Sequence, residues 1–289
     1  MKRRLLSPNI RFLFQKSVYF LFALILLVPF LGTICHSIFS PEAVQIKLSQ
    51  RGSFDTNRWM SLLLPLDSLS LDQYQLVLWG NNGILQRFFL SAFYTSAILA
   101  GQVLVVPGMA YALTMYRFRG KNLIFLLLIL LMLLPFQVTM VPNMLMLRSM
   151  NLLDTVWAVI FPAWFSPFYF FLISHYMANI PCELYEAAQL DGAGPIRCFF
   201  WIALPSSSPV LGAAAVLSFA DAWNMVEQPL AFLKSREELL PLSSVFNQLT
   251  NAPQGIEFAG AVIYMLPALF VYLFFLEDIT AGLRAMELK

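Results

Sequence analysis

EAAQLDGAGPIRCFFWIALP (residues 186–205) interrupts a chain that otherwise consists mainly of long apolar runs. The stretch begins with an acidic residue, contains Gly192 and Gly194, and ends at Pro205. Glycine readily adopts the left-handed backbone conformation that ends many helices, and proline is tolerated in the first turn of a helix. The stretch therefore predicts a short helix that stops at Gly192, a tight turn, and a second short helix that begins at Pro195.

The helix before the turn has a distinctive surface. Pro181 can occupy its first turn, and Glu183 and Glu186 follow near the positive end of the helix dipole. A narrow face of small and apolar side chains is formed by Leu184, Tyr185, Ala187 and Ala188. A compact knob of this kind is suited to insertion into a groove on a partner protein. The alternative is an amphipathic connector on a lipid surface, but such connectors normally carry several basic residues, and here Arg197 stands alone.

The composition of the whole chain is that of a membrane protein. Of its 289 residues, 59% are hydrophobic and 12% are charged, and the mean hydropathy is +0.71. This polar fraction is too small to cover a water-soluble core. The formal net charge of +2, without a clustered basic and aromatic surface, argues against a nucleic-acid partner. The three cysteines and two histidines show no CxxC or HExxH spacing, so we expect no metal site and no cofactor.

Uncharged intervals predict six transmembrane helices, because a helix needs about 20 apolar residues to cross a bilayer. The predicted spans are 17–39, 88–115, 123–147, 155–175, 207–225 and 258–276. The first run is too long for a cleavable signal peptide, and no small-residue cleavage site follows it. Prolines 29, 107, 135, 142, 162 and 167 are expected to break or bend these helices, as fixed kinks rather than hinges.

The basic residues orient the predicted bundle. With both termini in the cytoplasm, 11 of the 18 Lys and Arg residues lie on the cytoplasmic side, which agrees with the positive-inside rule. The predicted organisation is then a cytoplasmic N-terminus (1–16), a first span (17–39), an extracytoplasmic loop (40–87), a five-helix core (88–278) and a cytoplasmic tail (279–289). The stretch quoted above lies in a cytoplasmic loop over about 178–206.

At these residues the sequence resembles the membrane-spanning permease subunits of binding-protein-dependent ABC importers, and the loop 178–206 is similar to their EAA loop. The residues that match are Glu186, Ala187, Ala188, Asp191, Gly192, Ala193, Ile202, Leu204 and Pro205. Other segments are similar to the carbohydrate-uptake branch of the family, namely AYAL (110–113), LLPFQVTMVP (133–142), NLLDT (151–155) and AWNMVEQPL (222–230). The resemblance covers about residues 15–285.

The resemblance implies an all-α membrane protein with six transmembrane helices and the type I ABC importer permease fold. It also implies a second permease subunit in a heterodimer, ATPase subunits docked on the EAA loop, and an extracytoplasmic sugar-binding protein. The implied location is the lipid bilayer of a bacterial cytoplasmic (inner) membrane. The chain lacks the GxxxxGK[ST] pattern that holds nucleotide phosphates, so ATP hydrolysis is expected in a partner, and no catalytic residue is expected here.

The chain departs from the family pattern at three places. Phe200 and Trp201 stand where the family often has Lys or Arg. LLPLSS (239–244) replaces the usual TLP and its following glycine before the last helix, and the tail keeps Thr280, Ala281 and Gly282 but not the common lysine and glycine. The difference at 239–244 concerns contact with the binding protein, and the difference in the tail concerns contact with the ATPase.

The fifth predicted helix carries the candidate substrate-path residues. Asp221 and Asn224 are three positions apart and share a helix face, and an ionisable residue inside a membrane usually faces a bundle interior or a water-filled cavity. Trp223 lies beside them and could pack on a sugar. The competing interpretation is that Asp221 pairs within the bundle, Asn224 bonds another helix, and Trp223 belongs to an interfacial belt.

Two other classes of protein fit the sequence less well, and an ABC permease for a different small solute stays open. A secondary transporter would also contain several spans and an intramembrane acid, but no internal repeat is visible and the EAA stretch would be unexplained. A membrane enzyme would need a nucleophile and a base, and neither GxSxG nor HExxH occurs. The sequence does not identify the sugar or polyol.

Overall fold

The computed structural model describes residues 8–44, 69–80, 83–249, 256–277 and 280, and these residues are almost entirely helical. The helices are α1 (Pro8–Ser37), α2 (Asp72–Trp79), α3 (Ile84–Met115), α4 (Lys121–Leu133), α5 (Phe136–Ser149), α6 (Val156–Ala163), α7 (Pro167–Met177), α8 (Cys182–Leu190), α9 (Pro195–Ser206), α10 (Ser208–Trp223), α11 (Glu227–Phe232), α12 (Leu242–Leu249) and α13 (Glu257–Phe274). The predicted all-α class is confirmed. Most of the predicted extracytoplasmic loop and nearly all of the predicted tail lie outside the described residues.

Several helices are long and apolar enough to cross a bilayer. In the described part of the chain, four segments meet this criterion as single spans: Lys16–Ser37, Ile84–Met115, Val156–Met177 and Glu257–Phe274. Two further pairs meet it together but are sharply bent, α4 with α5 by 109° and α9 with α10 by 73°. The described residues therefore contain four candidate spans, or up to six if each bent pair counts as one.

The predicted span over 123–147 is interrupted at Pro135, one of the prolines expected to break or bend its helix. Leu134 and Pro135 are extended, with ψ of 128° and 149°, and the preference of a pre-proline residue for extended backbone accounts for Leu134. Pro167 likewise begins α7 after a short break. The remaining prolines named above lie inside helices, namely Pro29, Pro107, Pro142 and Pro162.

Contacts divide the chain into two units, 1–84 with 248–265, and 85–247 with 266–289. In the first unit the buried side chain of Gln73 connects three segments. Its amide nitrogen donates to the carbonyl oxygens of His36 and Phe39, each at 2.8 Å, and its own oxygen accepts a hydrogen bond from the Ala259 N–H at 3.3 Å. This amide thus ties the ends of α1 and α13 to α2.

The largest core cluster of the second unit lies where α3, α4 and α7 meet the loop 178–206. Its buried members are Val106, Ala110, Tyr111, Leu113, Leu128, Tyr169, Phe170, Ile173, Met177, Tyr185, Cys198, Ala203 and Ala214. The loop itself contributes Tyr185, Cys198 and Ala203. The polar interruption in the sequence is therefore anchored in the hydrophobic core by one of its faces.

Candidate functional site

The predicted helix, turn and helix are present, and the turn is fixed by backbone hydrogen bonds. α8 ends at Leu190, and Gly192 follows with φ of +82°. The N–H groups of Gly192 and Ala193 donate to the carbonyl oxygens of Gln189 and Ala188 at 3.0 and 2.9 Å. These two bonds form the Schellman arrangement, which satisfies the last carbonyls of a helix and requires a left-handed residue at the position of Gly192.

The second arm, α9, contains a π-helical turn. Pro195 occupies the first turn of α9, and residues Phe199–Ala203 form the wider π-helical segment. Trp201 is 81% exposed, whereas Ala203 is fully buried. π-helical turns are rare and often occur at functional sites. The turn places the large Trp201 ring on the outside of the loop and keeps a small residue against the core.

The outer face of the loop 178–206 combines apolar and charged side chains. Its exposed large apolar residues are Leu184, Leu190, Ile196, Phe200 and Trp201, and Leu190 is 90% exposed. Glu183, Glu186, Asp191 and Arg197 are exposed on the same loop. Apolar side chains gathered in this way on one short segment form an exposed patch of the kind that is typical of interaction sites. We call these nine residues the outer face.

The matched EAA residues divide between this surface and the interior. Glu186, Ala187, Asp191, Gly192 and Pro205 are exposed, whereas Ala188, Ala193, Ile202 and Leu204 are half-buried. Ala188, Ala193 and Ile202 line, with Arg197 and Trp201, a groove of about 400 Å³ between the two arms. Small side chains on its floor leave the space that a side chain of a partner could fill.

Half of the narrow face predicted for α8 turns inward. Leu184 and Ala187 are exposed, but Tyr185 is 5% exposed and Ala188 is half-buried. The Tyr185 hydroxyl is buried, and no hydrogen-bond partner for it occurs among the described residues. Burial, with a smaller contribution from Cys198, raises the pKa of Tyr185 above its ordinary value, so the hydroxyl stays neutral at physiological pH.

The predicted substrate-path residues do not share one surface. Asp221 and Asn224 are both exposed near the end of α10, as their spacing predicts. Trp223 is 2% exposed, and its ring packs 5.7 Å from the Phe219 ring and 5.6 Å from the Phe88 ring. The reason is helical periodicity, because Trp223 lies about 200° around the helix from Asp221.

Sequence reasoning missed the residues that surround Asp221. The Tyr169 hydroxyl of α7 donates to Asp221 Oδ2 at 2.7 Å. One turn earlier on α10, the Ser218 hydroxyl donates to Gln102 Oε1 of α3, and Gln102 Nε2 donates to the Ala163 carbonyl at 2.8 Å. These four side chains connect three candidate spans by polar contacts. The sequence signal that could have found this network was Ser218, a polar residue inside an apolar run and three positions before Asp221.

Asn224 makes a local contact. Its Nδ2 donates to the Ala220 carbonyl at 2.9 Å, and Asn224 is the C-cap residue directly after α10. The amide oxygen and the exposed carboxylate of Asp221 thus lie at the same end of α10. Together they offer hydrogen-bond acceptors of the kind that bind sugar hydroxyls.

The segment that replaces the usual family sequence before the last helix is fixed on α3. The Tyr94 hydroxyl donates to the Leu239 carbonyl at 3.0 Å, and the Leu242 N–H donates to Ser91 Oγ at 2.8 Å. Arg87 also donates to the Glu237 carbonyl at 3.1 Å. Residues 237–242 are therefore held in a defined position on α3. Residues 250–255, which follow α12, lie outside the described part of the chain.

Comparison with known proteins gives consistent matches. A family model described as "Binding-protein-dependent transport system inner membrane component" matches residues 105–276. The arabinooligosaccharides transport system permease protein AraQ of Halalkalibacterium halodurans is 30% identical, over 80% of this chain and 83% of that protein. Protein LplC of Bacillus subtilis is 32% identical, over 92% of this chain and 90% of that protein.

A solved structure shares the fold. It is the crystal structure of a bacterial ABC transporter involved in the import of the acidic polysaccharide alginate. The similarity has a TM-score of 0.78 at 23% identity and covers 96% of this chain and 99% of the compared chain. The helices described above therefore have the arrangement of a known importer chain.

Proposed function

Because the chain belongs to the family of binding-protein-dependent transport system inner membrane components, we propose that it is the permease subunit of an ATP-driven ABC importer for a carbohydrate or related polyol. In this proposal it forms half of the transmembrane path. The names of the arabinooligosaccharide permease and of the alginate importer support a carbohydrate as solute. A permease component is not itself catalytic, so ATP is hydrolysed by a separate subunit.

The chain is a multi-pass component of an inner membrane, and we propose the following orientation and partners for it. It lies in a bacterial cytoplasmic membrane with both termini inside. Of its six spans, one is formed by α4 with α5 and one by α10, while α9 belongs to the cytoplasmic loop. Its partners are a second permease subunit, ATPase subunits on the cytoplasmic side, and an extracytoplasmic binding protein that delivers the solute.

The loop 178–206 carries the proposed coupling to the ATPase. The observation behind this role is its division into an outer face rich in exposed apolar and acidic side chains and an inner face packed in the core. ATP binding closes the ATPase dimer and draws the docked loops together. Because the inner face is continuous with the core around α3, α4 and α7, the movement opens the path outward.

The proposed contribution to the solute path comes from Asp221 and Asn224. Tyr169 holds the Asp221 carboxylate by a hydrogen bond and leaves its other oxygen for a solute hydroxyl. Trp223, which the sequence placed beside them, has a packing role in this proposal because its ring is buried against Phe88 and Phe219.

The energy source tests the proposed function directly. In vesicles that contain the complete transporter and its binding protein, uptake from a panel of labelled oligosaccharides should require ATP inside and should survive collapse of the proton gradient. A secondary transporter would give the opposite pattern. Uptake that persists without ATP and stops with the gradient would exclude the ABC assignment.

The orientation can be tested with single cysteines in a variant from which the three native cysteines have been removed. Ser235→Cys, beyond α11, should react with an impermeant reagent added outside, whereas Gly194→Cys in the loop 178–206 should not. Both positions are exposed, so accessibility within the subunit does not limit either reaction. Labelling of Gly194→Cys but not of Ser235→Cys would contradict the proposed orientation.

A further inference from the structure

We infer that Tyr111 is the positioning residue through which movement of the loop 178–206 reaches α3, an inference that rests on the coupling role proposed above. Tyr111 lies near the end of α3, and its side chain is 9% exposed. It is far from the candidate path residues in sequence and contributes nothing to the outer face. Its side chain contacts the inner side of the loop, and its ring also lies 6.3 Å from that of Tyr116, just beyond α3.

One side chain contacts both arms of the loop. The Tyr111 hydroxyl donates to the Pro195 carbonyl, in the first turn of α9, at 3.2 Å. The Tyr111 ring centroid lies 5.3 Å from that of Phe199 in α9 and 6.3 Å from that of Tyr185 in α8. Aromatic rings attract each other at these separations. A displacement of either arm therefore acts on the same tyrosine.

The backbone does not provide this connection. The loop follows α7 and leads into α10, so its movement reaches both helices through the backbone. By contrast, α3 ends at Met115, well before the loop begins. Coupling of α3 to the loop must therefore pass through side chains. Apolar packing permits sliding, but a hydrogen bond restricts direction, and the Tyr111 hydroxyl supplies one.

Hydrogen bonds within the loop 178–206 hold its two arms together, so that the loop moves as a rigid unit relative to Tyr111. The Schellman bonds at Gly192 and Ala193 close the turn, and the Cys198 thiol contacts the Ala193 carbonyl at 3.8 Å. The two arms are thereby joined to each other. A push on the outer face is delivered to Tyr111 rather than absorbed by bending between α8 and α9.

The neighbouring Tyr185 supplies a matched control. Both rings belong to the same buried cluster, but the Tyr111 hydroxyl is bonded, and that of Tyr185 has no partner among the described residues. Replacement of either tyrosine by phenylalanine removes one oxygen and keeps the ring. A difference between the two variants therefore reports the hydrogen bond and not the aromatic packing.

The experiment measures distance within the complete transporter. Spin labels at Leu104→Cys, exposed on α3, and Gly194→Cys, exposed on the loop but outside the outer face, are placed in a variant without native cysteines. The label separation is compared between the nucleotide-free state and the state trapped with ATP and vanadate. With Tyr111 present we expect no shift, because α3 and the loop move together. Tyr111→Leu should produce a shift on trapping, Tyr111→Phe a smaller one, and Tyr185→Phe none.

The outcomes separate this inference from the proposed function. No shift in either Tyr111 variant, or an equal shift in Tyr185→Phe, would overturn the inference. If Tyr111→Leu fails to assemble, Tyr111→Phe decides, since it changes a single oxygen. Copurification of the ATPase tests the coupling role separately. If the coupling role fails, Gly192→Val retains the ATPase and full transport. If the inference alone fails, Gly192→Val still loses coupling.

Discussion

Gly192→Val should abolish most ATP-dependent uptake while the subunit remains inserted in the membrane. Gly192 has φ of +82°, and a β-branched residue in this left-handed region is strained by roughly 1–3 kcal/mol. The strain is relieved by opening the turn, which breaks the Schellman bonds from Gly192 and Ala193. The two arms then lose their fixed relation, and the outer face no longer presents one surface to the ATPase.

The measurement is the amount of ATPase that copurifies with the subunit, together with uptake per assembled complex. A loss of 1.4 kcal/mol corresponds to a decrease of about tenfold in binding, and we expect at least this decrease. Gly194→Val is the matched control, because Gly194 has φ of −74° and ψ of 170°, and a Cβ there meets no atom within 4 Å. Gly192→Asn should restore part of the coupling, since asparagine tolerates the left-handed region.

Full coupling in both Gly192→Val and Gly194→Val would contradict the proposed role of the turn. A loss in both would instead show that any added side chain on this loop blocks the partner, because the two positions differ in backbone conformation but not in available space. The two variants thus distinguish a requirement for the left-handed turn from a requirement that no side chain project from this part of the loop.

The loop was predictable from sequence because its determinants are local. Gly192 and Pro195 act through their own backbone preferences, and the helix dipole favours Glu183 and Glu186 at the start of α8. The orientation of α8 was not predictable in this way. Tyr185 turns inward because Tyr111, which is distant in sequence, forms part of the cluster that receives it.

What the sequence did not predict in the membrane-spanning part has a related cause. A test based on charge-free length measures how far a helix can extend but not its direction, so a break or bend was expected at Pro135 but its size of 109° was not. For Trp223 the periodicity was available and excludes a shared face with Asp221. For Asp221 itself, the partner Tyr169 comes from another helix, and the pairing required knowledge of how α7 packs on α10.

Asp221→Leu should lower solute uptake strongly without lowering the amount of assembled transporter. If the carboxylate binds a solute hydroxyl, its removal deletes a charge-assisted hydrogen bond of about 1.5–3 kcal/mol, which corresponds to a loss of roughly tenfold to a hundredfold. Asp221→Asn should be milder, because an amide keeps one acceptor oxygen, although it loses the charge and replaces the other oxygen with a donor. Asn224→Leu, on the same exposed face, should also lower uptake per complex.

Tyr169→Phe distinguishes a role in the path from a structural role, because it breaks the same 2.7 Å hydrogen bond and leaves the carboxylate in place. If the bond only holds α7 against α10, Tyr169→Phe and Asp221→Leu should reduce the amount of complex alike, and uptake per complex should not change. If Asp221 faces the solute, Tyr169→Phe should retain most of the uptake that Asp221→Leu loses. Uptake normalised to complex in the membrane is therefore the deciding quantity, and an unchanged value in both Asp221→Leu and Asn224→Leu would remove this end of α10 from the path.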